Sequence, residues 1–198
     1  MKLIHAAMAT LVFITLLLLI YYVHIRYFSV DVVFYAAIAD ALLAALLAGV
    51  ILFTASGFQR FNHFEKTQLV IIWLLAGYAF AISVPTVIDR SLSFYILEKL
   101  QQRGGGIRLD SFEQVFTKEY VKEHRLVDVR LTEQLASGTI RIEHGCVTLT
   151  EKGKKIASFS RAFRQNLLPK QRLLMGQYTD DLTNPFKNSV PETDYACR

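Results

Sequence analysis

Cysteine is nearly absent from this 198-residue chain, where Cys146 and Cys197 are the only two. Two thiols at that spacing make neither a metal-ligand motif nor a disulfide framework. Cys146 falls in a predicted hairpin and Cys197 is the penultimate residue of a polar tail, so a bridge between them is not expected. A reducing compartment is the easier fit. The five histidines are scattered, without a HisGluXXHis arrangement or a Cys and His combination at ligand spacing. Gly104, Gly105 and Gly106 lack the following Lys and Thr of a phosphate-binding loop. The sequence thus points to no catalytic residue, no metal and no cofactor, and an enzyme is not expected.

Charge is scarce in the front of the chain, and proline is missing before Pro85. Of the 22 Lys and Arg residues only Lys2, Arg26, Arg60 and Lys66 precede Asp89. Apolar residues make up 53% of the chain, with a mean hydropathy of +0.31, and the excess is confined to this front. Two compositions are joined end to end.

What fills the front is three apolar runs, at about 3–23, 32–54 and 69–88, each long enough to cross ~30 Å of hydrocarbon at 1.5 Å per residue. The first ends in Tyr21, Tyr22, His24 and Arg26, an aromatic belt rather than the small-residue end of a cleaved signal peptide. Buried helices of a soluble protein are the competing reading, and three such runs in succession oppose it.

In the second run Ala37, Ala41, Ala45 and Gly49 recur every four residues, with Ala36, Ala44 and Ala48 in the adjoining row. Such rows let another helix approach closely. Asp40 lies on the second row and must be protonated, hydrated or paired inside the bilayer. No Lys or Arg occurs in the other spans to meet it. Thr10, Thr15, Tyr78 and Ser83 are candidate donors within the bundle, and a cation on another protein is a candidate partner.

Three spans place the termini on opposite sides. A cytoplasmic C-terminal part puts Arg26, Arg90, Lys99 and Arg103 inside against Lys2, Arg60 and Lys66 outside, which leans the positive-inside way. The expected location is the inner (plasma) membrane, multi-pass.

After Pro85 the pattern turns amphipathic. Leu92, Ile96, Leu97 and Leu100 predict one helix face, ended by the glycine run. Asp110, with Glu113 three residues on, predicts a capped second helix that buries Phe112, Val115, Phe116 and Tyr120. A third helix is predicted over 128–136, then a β-hairpin around His144 and Gly145, then a helix from near Lys152 presenting Ile156, Phe159, Phe163 and Leu167 until Pro169. Helix, helix, helix, hairpin, helix is the order of a winged helix. Gly138 to Ile140, His144 and Gly145, and LeuThrGluLysGly from Leu149 to Gly153 resemble the wing and exit of MarR-like and PadR-like winged-helix regulators. The resemblance covers residues 90–170 and not the spans. The expected architecture is therefore an all-α bundle of three transmembrane helices (1–88), a small α+β winged-helix domain (89–170), and an extended or disordered tail (171–198).

The resemblance implies DNA contact by the third helix and wing, through Arg130, Gln134, Arg141 and His144. The third helix opposes this with Asp128 and Glu133 beside a single Arg130, because carboxylates there cost affinity for phosphate. From Arg90 to Arg172 there are 16 basic and 9 acidic residues, a surface that is simply solvated or suits lipid or an acidic partner as well as DNA. Asp89, Arg90, Ser91 and Ser93 make an interfacial cluster able to meet a phosphate or head group, though such a segment is more commonly a helix cap. Asn184 to Phe186 matches a three-residue adaptor ligand by a pattern too short to weigh. The expected function is that of an accessory or interaction protein that contacts membrane lipids and uses the winged helix to hold a membrane-protein partner, or a further copy of itself. A subunit of an envelope or lipid-linked sugar pathway is one such setting. The alternative is a membrane-tethered DNA-binding transcription regulator.

Overall fold

The computed structural model describes residues 2–187. The chain is mostly helical and divides into two compact units, one running to Val129 and the other from Arg130.

Three long helices open the first unit: α1 (Lys2–Tyr27), α2 (Val33–Thr54) and α3 (His63–Ala81). Together with the turns that prolong α3 to Arg90, they are three helices long and apolar enough to cross a membrane. That is the build of a multi-pass membrane protein. The third starts at His63, six residues ahead of the apolar run, because Asn62 and Glu65 form a reciprocal capping box that satisfies the first orphan amides. Lys2 Nζ donates to Glu65 at 2.7 Å, joining the start of α1 to that of α3.

The bundle is built around α2, which packs on both neighbours. Ala37, Ala41, Ala45 and Gly49 are all buried, as are Ala44 and Ala48. The first row, with Ala44 and Ala48 of the second, is thus covered by helices of this same chain, and Ala36 is half-buried. Gly77 of α3 shows how close the approach is, since a Cβ there would lie 2.8 Å from Ala41 Cβ. Trp73, 1% exposed, stacks on Phe13 at 5.5 Å and donates from Nε1 to Thr10 Oγ1 at 3.1 Å, tying α3 to α1.

Pro85 lies inside a π turn, Ile82–Thr86, that leads into the short α4 (Val87–Arg90). Proline has no N–H for the carbonyl four residues back. The Thr86 hydroxyl donates to that carbonyl, Ala81 O, at 2.7 Å, so it is not left unsatisfied.

Ser91 caps α5 (Leu92–Gln102) by accepting from Phe94 N. This helix buries the predicted stripe only in part, with Ile96 and Leu100 half-buried. Its buried residues are Tyr95 and Lys99, while Leu92 and Leu97 are exposed. Lys99 Nζ lies 2.6 Å from a carboxylate oxygen of both Glu119 and Glu123, and Tyr95 donates to Glu123 at 2.8 Å and packs on Tyr120. A tally of apolar positions does not detect a face made by an ammonium and a phenol that find partners. The two carboxylates come from a helical run of α6 (Phe112–Gln114), a π stretch Val115–Tyr120, and α7 (Val121–Glu123). Its start is not capped as predicted: Ser111 occupies the cap position without a side-chain bond, and the Asp110 carboxylate is engaged by Arg108 and Ser111 instead.

Helix α8 (Leu126–Ala136) spans the boundary between the units. In the second unit, β1 (Ile140–Glu143) pairs antiparallel with β2 (Cys146–Leu149) through a two-residue turn in which His144 and Gly145 have φ of 52° and 77°. Both lie in the left-handed region that such turns require, which glycine meets without strain. Thr150 then caps α9 (Glu151–Leu167), accepting from Gly153 N while its hydroxyl reaches the carbonyls of Gly138 and Thr139. A Cβ on Gly153 would sit 2.1 Å from Thr139 O, so only glycine fits where the helix starts against the chain entering β1. Within the stretch read as an extended tail, β3 (Arg172–Leu174) and β4 (Gln177–Thr179) form a second short hairpin. Cys146 is disulfide-bonded, which corrects the expectation of unpaired thiols. Cys197 lies outside the described residues.

Candidate functional site

Within the spans, the polar chemistry gathers where α1 ends and α2 begins. Asp40 stands seven residues into α2, about 10 Å along the helix from Val33 at 1.5 Å per residue. It is 4% exposed. None of the donors expected from the sequence meets it: Thr10 accepts from Trp73 and Thr15 donates to Leu11 O. The partner is His24, on the last turn of α1, whose Nδ1 lies 2.7 Å from Asp40 Oδ1. The two side chains share one hydrogen bond, whose direction is set by the imidazole tautomer, and the ring keeps Nε2 for a second partner.

Asp40 Oδ2 is buried and has no hydrogen-bond partner among the described residues. Beside it runs an open groove of about 510 Å³ whose other walls are Leu19, Ile20, Val23, Phe28 and Leu43, with His24 among the lining residues. Phe28 meets the His24 ring edge-on at 5.9 Å. An apolar trough holding one imidazole and one under-satisfied carboxylate is suited to receive a hydrogen-bond donor or a cation carried on an apolar body. It has no nucleophile beside a base. His24 was legible only as a belt residue, because pairing requires that two spans bring one acid and one imidazole to similar depth.

The remaining sequence candidates are dispersed. At the membrane end of α3, Asp89 is exposed and Ser91 is committed to capping α5, with Ser93 exposed on the first turn beyond. Arg90 has its own interactions. In the second unit Arg130 donates to Glu133 at 2.7 Å, and the Gln134 amide oxygen accepts from the Thr139 hydroxyl. Arg141 and His144 are exposed on the β1–β2 hairpin. Among the described residues no three His, Cys, Asp or Glu side chains group as metal ligands do.

A second electrostatic cluster lies outside the spans, between α5 and the helical run 112–123. Hydrogen bonds that Lys99 donates to the carboxylates of Glu119 and Glu123 push its ammonium up to about 12. The same ammonium holds Glu119 and Glu123 below the ordinary carboxylate value, with Arg103 helping at Glu119 and Tyr95 at Glu123. Burial, followed by the bond to Glu123, raises the Tyr95 phenol to about 12. Every charge in this cluster is met, so it reads as a fastening between helices.

The chain matches no family model, no curated protein and no solved structure.

Proposed function

We propose that this protein is a multi-pass membrane accessory protein that holds a partner at the bilayer, and that Asp40, set by His24, is its intramembrane contact point. The observation that carries the reading is the Asp40 carboxylate oxygen, buried without a partner at the edge of a groove that opens on the outside of the bundle. An unsatisfied buried acceptor costs about 1–3 kcal/mol, more if charged, and a partner helix bearing a Lys, Arg, Ser or Asn would recover it. The small-residue rows of α2 are filled by α1 and α3, so the docking surface is this groove and not those rows.

Beyond the spans, the order α5, helical run 112–123, α8, β1–β2 hairpin, α9 supports the winged-helix reading of residues 89–170. The cytoplasmic side fits the basic charge of this part and the inner (plasma) membrane fits the spans. The bonded state of Cys146 takes away the argument from free thiols. Protein binding is favoured over DNA at the third helix, because Arg130 and Gln134 are engaged by Glu133 and Thr139. The regulator alternative rests on Arg141 and His144, both exposed on the wing.

The test is a mild-detergent pull-down of tagged full-length protein from its host, alongside Asp40→Leu. Recovery of one membrane protein in stable ratio, reduced about tenfold or more by the variant, supports the reading. Equal recovery with Asp40→Leu refutes the contact point. A defined DNA fragment, lost on removing residues 90–170, makes the protein a membrane-bound regulator instead.

A further inference from the structure

The second unit carries an apolar surface that its own fold leaves uncovered. On α9, Ile156, Phe159, Phe163 and Leu167 fall within about 80° of one another at 100° per residue. All four are exposed, Phe159 by 68% and Leu167 by 69%. Lys155 borders this stripe on one side and Arg164 on the other. The β3–β4 hairpin extends the same surface. Its turn is Met175 and Gly176, with Met175 86% exposed, and the exposed Leu173 pairs across the strands with an exposed Tyr178. Between helix and hairpin runs a groove of about 430 Å³ lined by Ile156, Phe159, Phe163, Leu168 and Leu182, with Arg164 and Arg172 beside them.

Charge decides what covers it. From Glu151 to Leu182 there are seven basic residues and three acids, Glu151, which is paired with Lys154, and Asp180 and Asp181 beyond β4. A second copy on the same face would set two such cationic surfaces against each other. Nucleic acid would suit the charge but leave the aromatic stripe in water. A protein partner would have to carry acidic groups all round its rim to match these cations. An anionic bilayer satisfies both halves, taking aromatic and aliphatic side chains at the headgroup boundary and Lys and Arg against phosphate.

We propose that α9 and the β3–β4 hairpin lie on the anionic lipid surface of the bilayer that the same chain spans, with Phe159, Phe163, Leu167 and Met175 entering the headgroup boundary. Lys155, Arg161, Arg164, Lys170 and Arg172 contact the lipid phosphates. The inference rests on the membrane reading of the spans and is independent of the Asp40 contact, so either can fail alone.

The experiment is hydrogen–deuterium exchange on the full-length protein, one copy per nanodisc, in phosphatidylcholine alone and in phosphatidylcholine with phosphatidylglycerol. Exchange over 156–178 should slow in the anionic discs by about tenfold or more and recover in high salt. Each of Lys155→Gln, Arg164→Gln and Arg172→Gln should lower that protection about fivefold. The double variant F159D and M175D should abolish it, with exchange in β1 and β2 unchanged as the check that the unit is folded. Equal exchange in both bilayers overturns the proposal. So does protection that appears only with two copies per disc, which would assign the surface to self-association.

Discussion

Moving one methyl group across the α2–α3 contact tests the bundle packing most directly. In Gly77→Ala the new Cβ lies 2.8 Å from Ala41 Cβ, where two methyl carbons need nearly 4 Å, so the helices must separate by about 1 Å. Overpacking of this kind costs about 1–3 kcal/mol, against about 1 kcal/mol gained by replacing a helical glycine. The expected net loss is about 1 kcal/mol. Ala41→Gly alone gives up about 1 kcal/mol of helix preference and about 1 kcal/mol of buried methyl. The double variant puts the methyl on the other helix in the same space, so its loss should return to within about 0.5 kcal/mol of zero, a coupling of roughly 3 kcal/mol. Trp73 is the only tryptophan, one turn before Gly77 and stacked on Phe13, so its emission during denaturation in detergent follows the bundle and not the second unit. Additive effects of the two changes would refute the packing described.

Three further outcomes are expected. Gly153→Ala should free the Thr150 clamp and destabilise the second unit by about 2–3 kcal/mol, since its Cβ would meet Thr139 O; faster exchange over 139–153 shows it, and unchanged exchange excludes the clamp. Asn62→Ala should cost α3 about 1 kcal/mol through loss of its capping box, read from the same Trp73 transition. The Lys99 cluster should be stable between about pH 5 and pH 10. Glu119 and Glu123 are lowered in the fold, so their contribution holds above the ordinary carboxylate value and is lost as pH falls below it. Lys99 is raised, so its contribution holds below its ordinary value of 10.5 and is lost as pH rises through about 12. Near-ultraviolet dichroism of the Tyr95–Tyr120 pair, taken as the difference from Tyr95→Phe, should be flat across that window; a transition near neutrality would contradict the assignment.

The three long helices were legible because a run of apolar residues too long for an ordinary core helix leaves the chain few alternatives, and the uneven placement of Lys and Arg marks where that region ends. The β1–β2 turn was legible for a local reason, since His144 and Gly145 suit a left-handed pair. The face of α5 was not, because hydrophobic counting ranks Leu97 above Lys99. Burial there is decided by Glu119 and Glu123, twenty or more residues away in sequence. The candidate site was half legible. Asp40 drew attention by itself, while His24 was indistinguishable from any other polar residue at a span end.

What the sequence by itself determined is whatever depends on neighbours along the chain: three spans, a glycine-stopped helix, a two-residue hairpin, and a basic amphipathic α9. Only the tertiary structure decided which surfaces remain available. The small-residue rows of α2 looked open to a partner, yet Phe13, Trp73 and Gly77 come from α1 and α3 to fill that side of the helix. The groove beside Asp40 stays open, walled by Leu19, Ile20, Val23 and His24 of α1 and by Leu43 of α2. Periodicity states that a face is apolar or small. Which element covers it is fixed by long-range packing, where the energy belongs to pairs of residues that no local pattern joins.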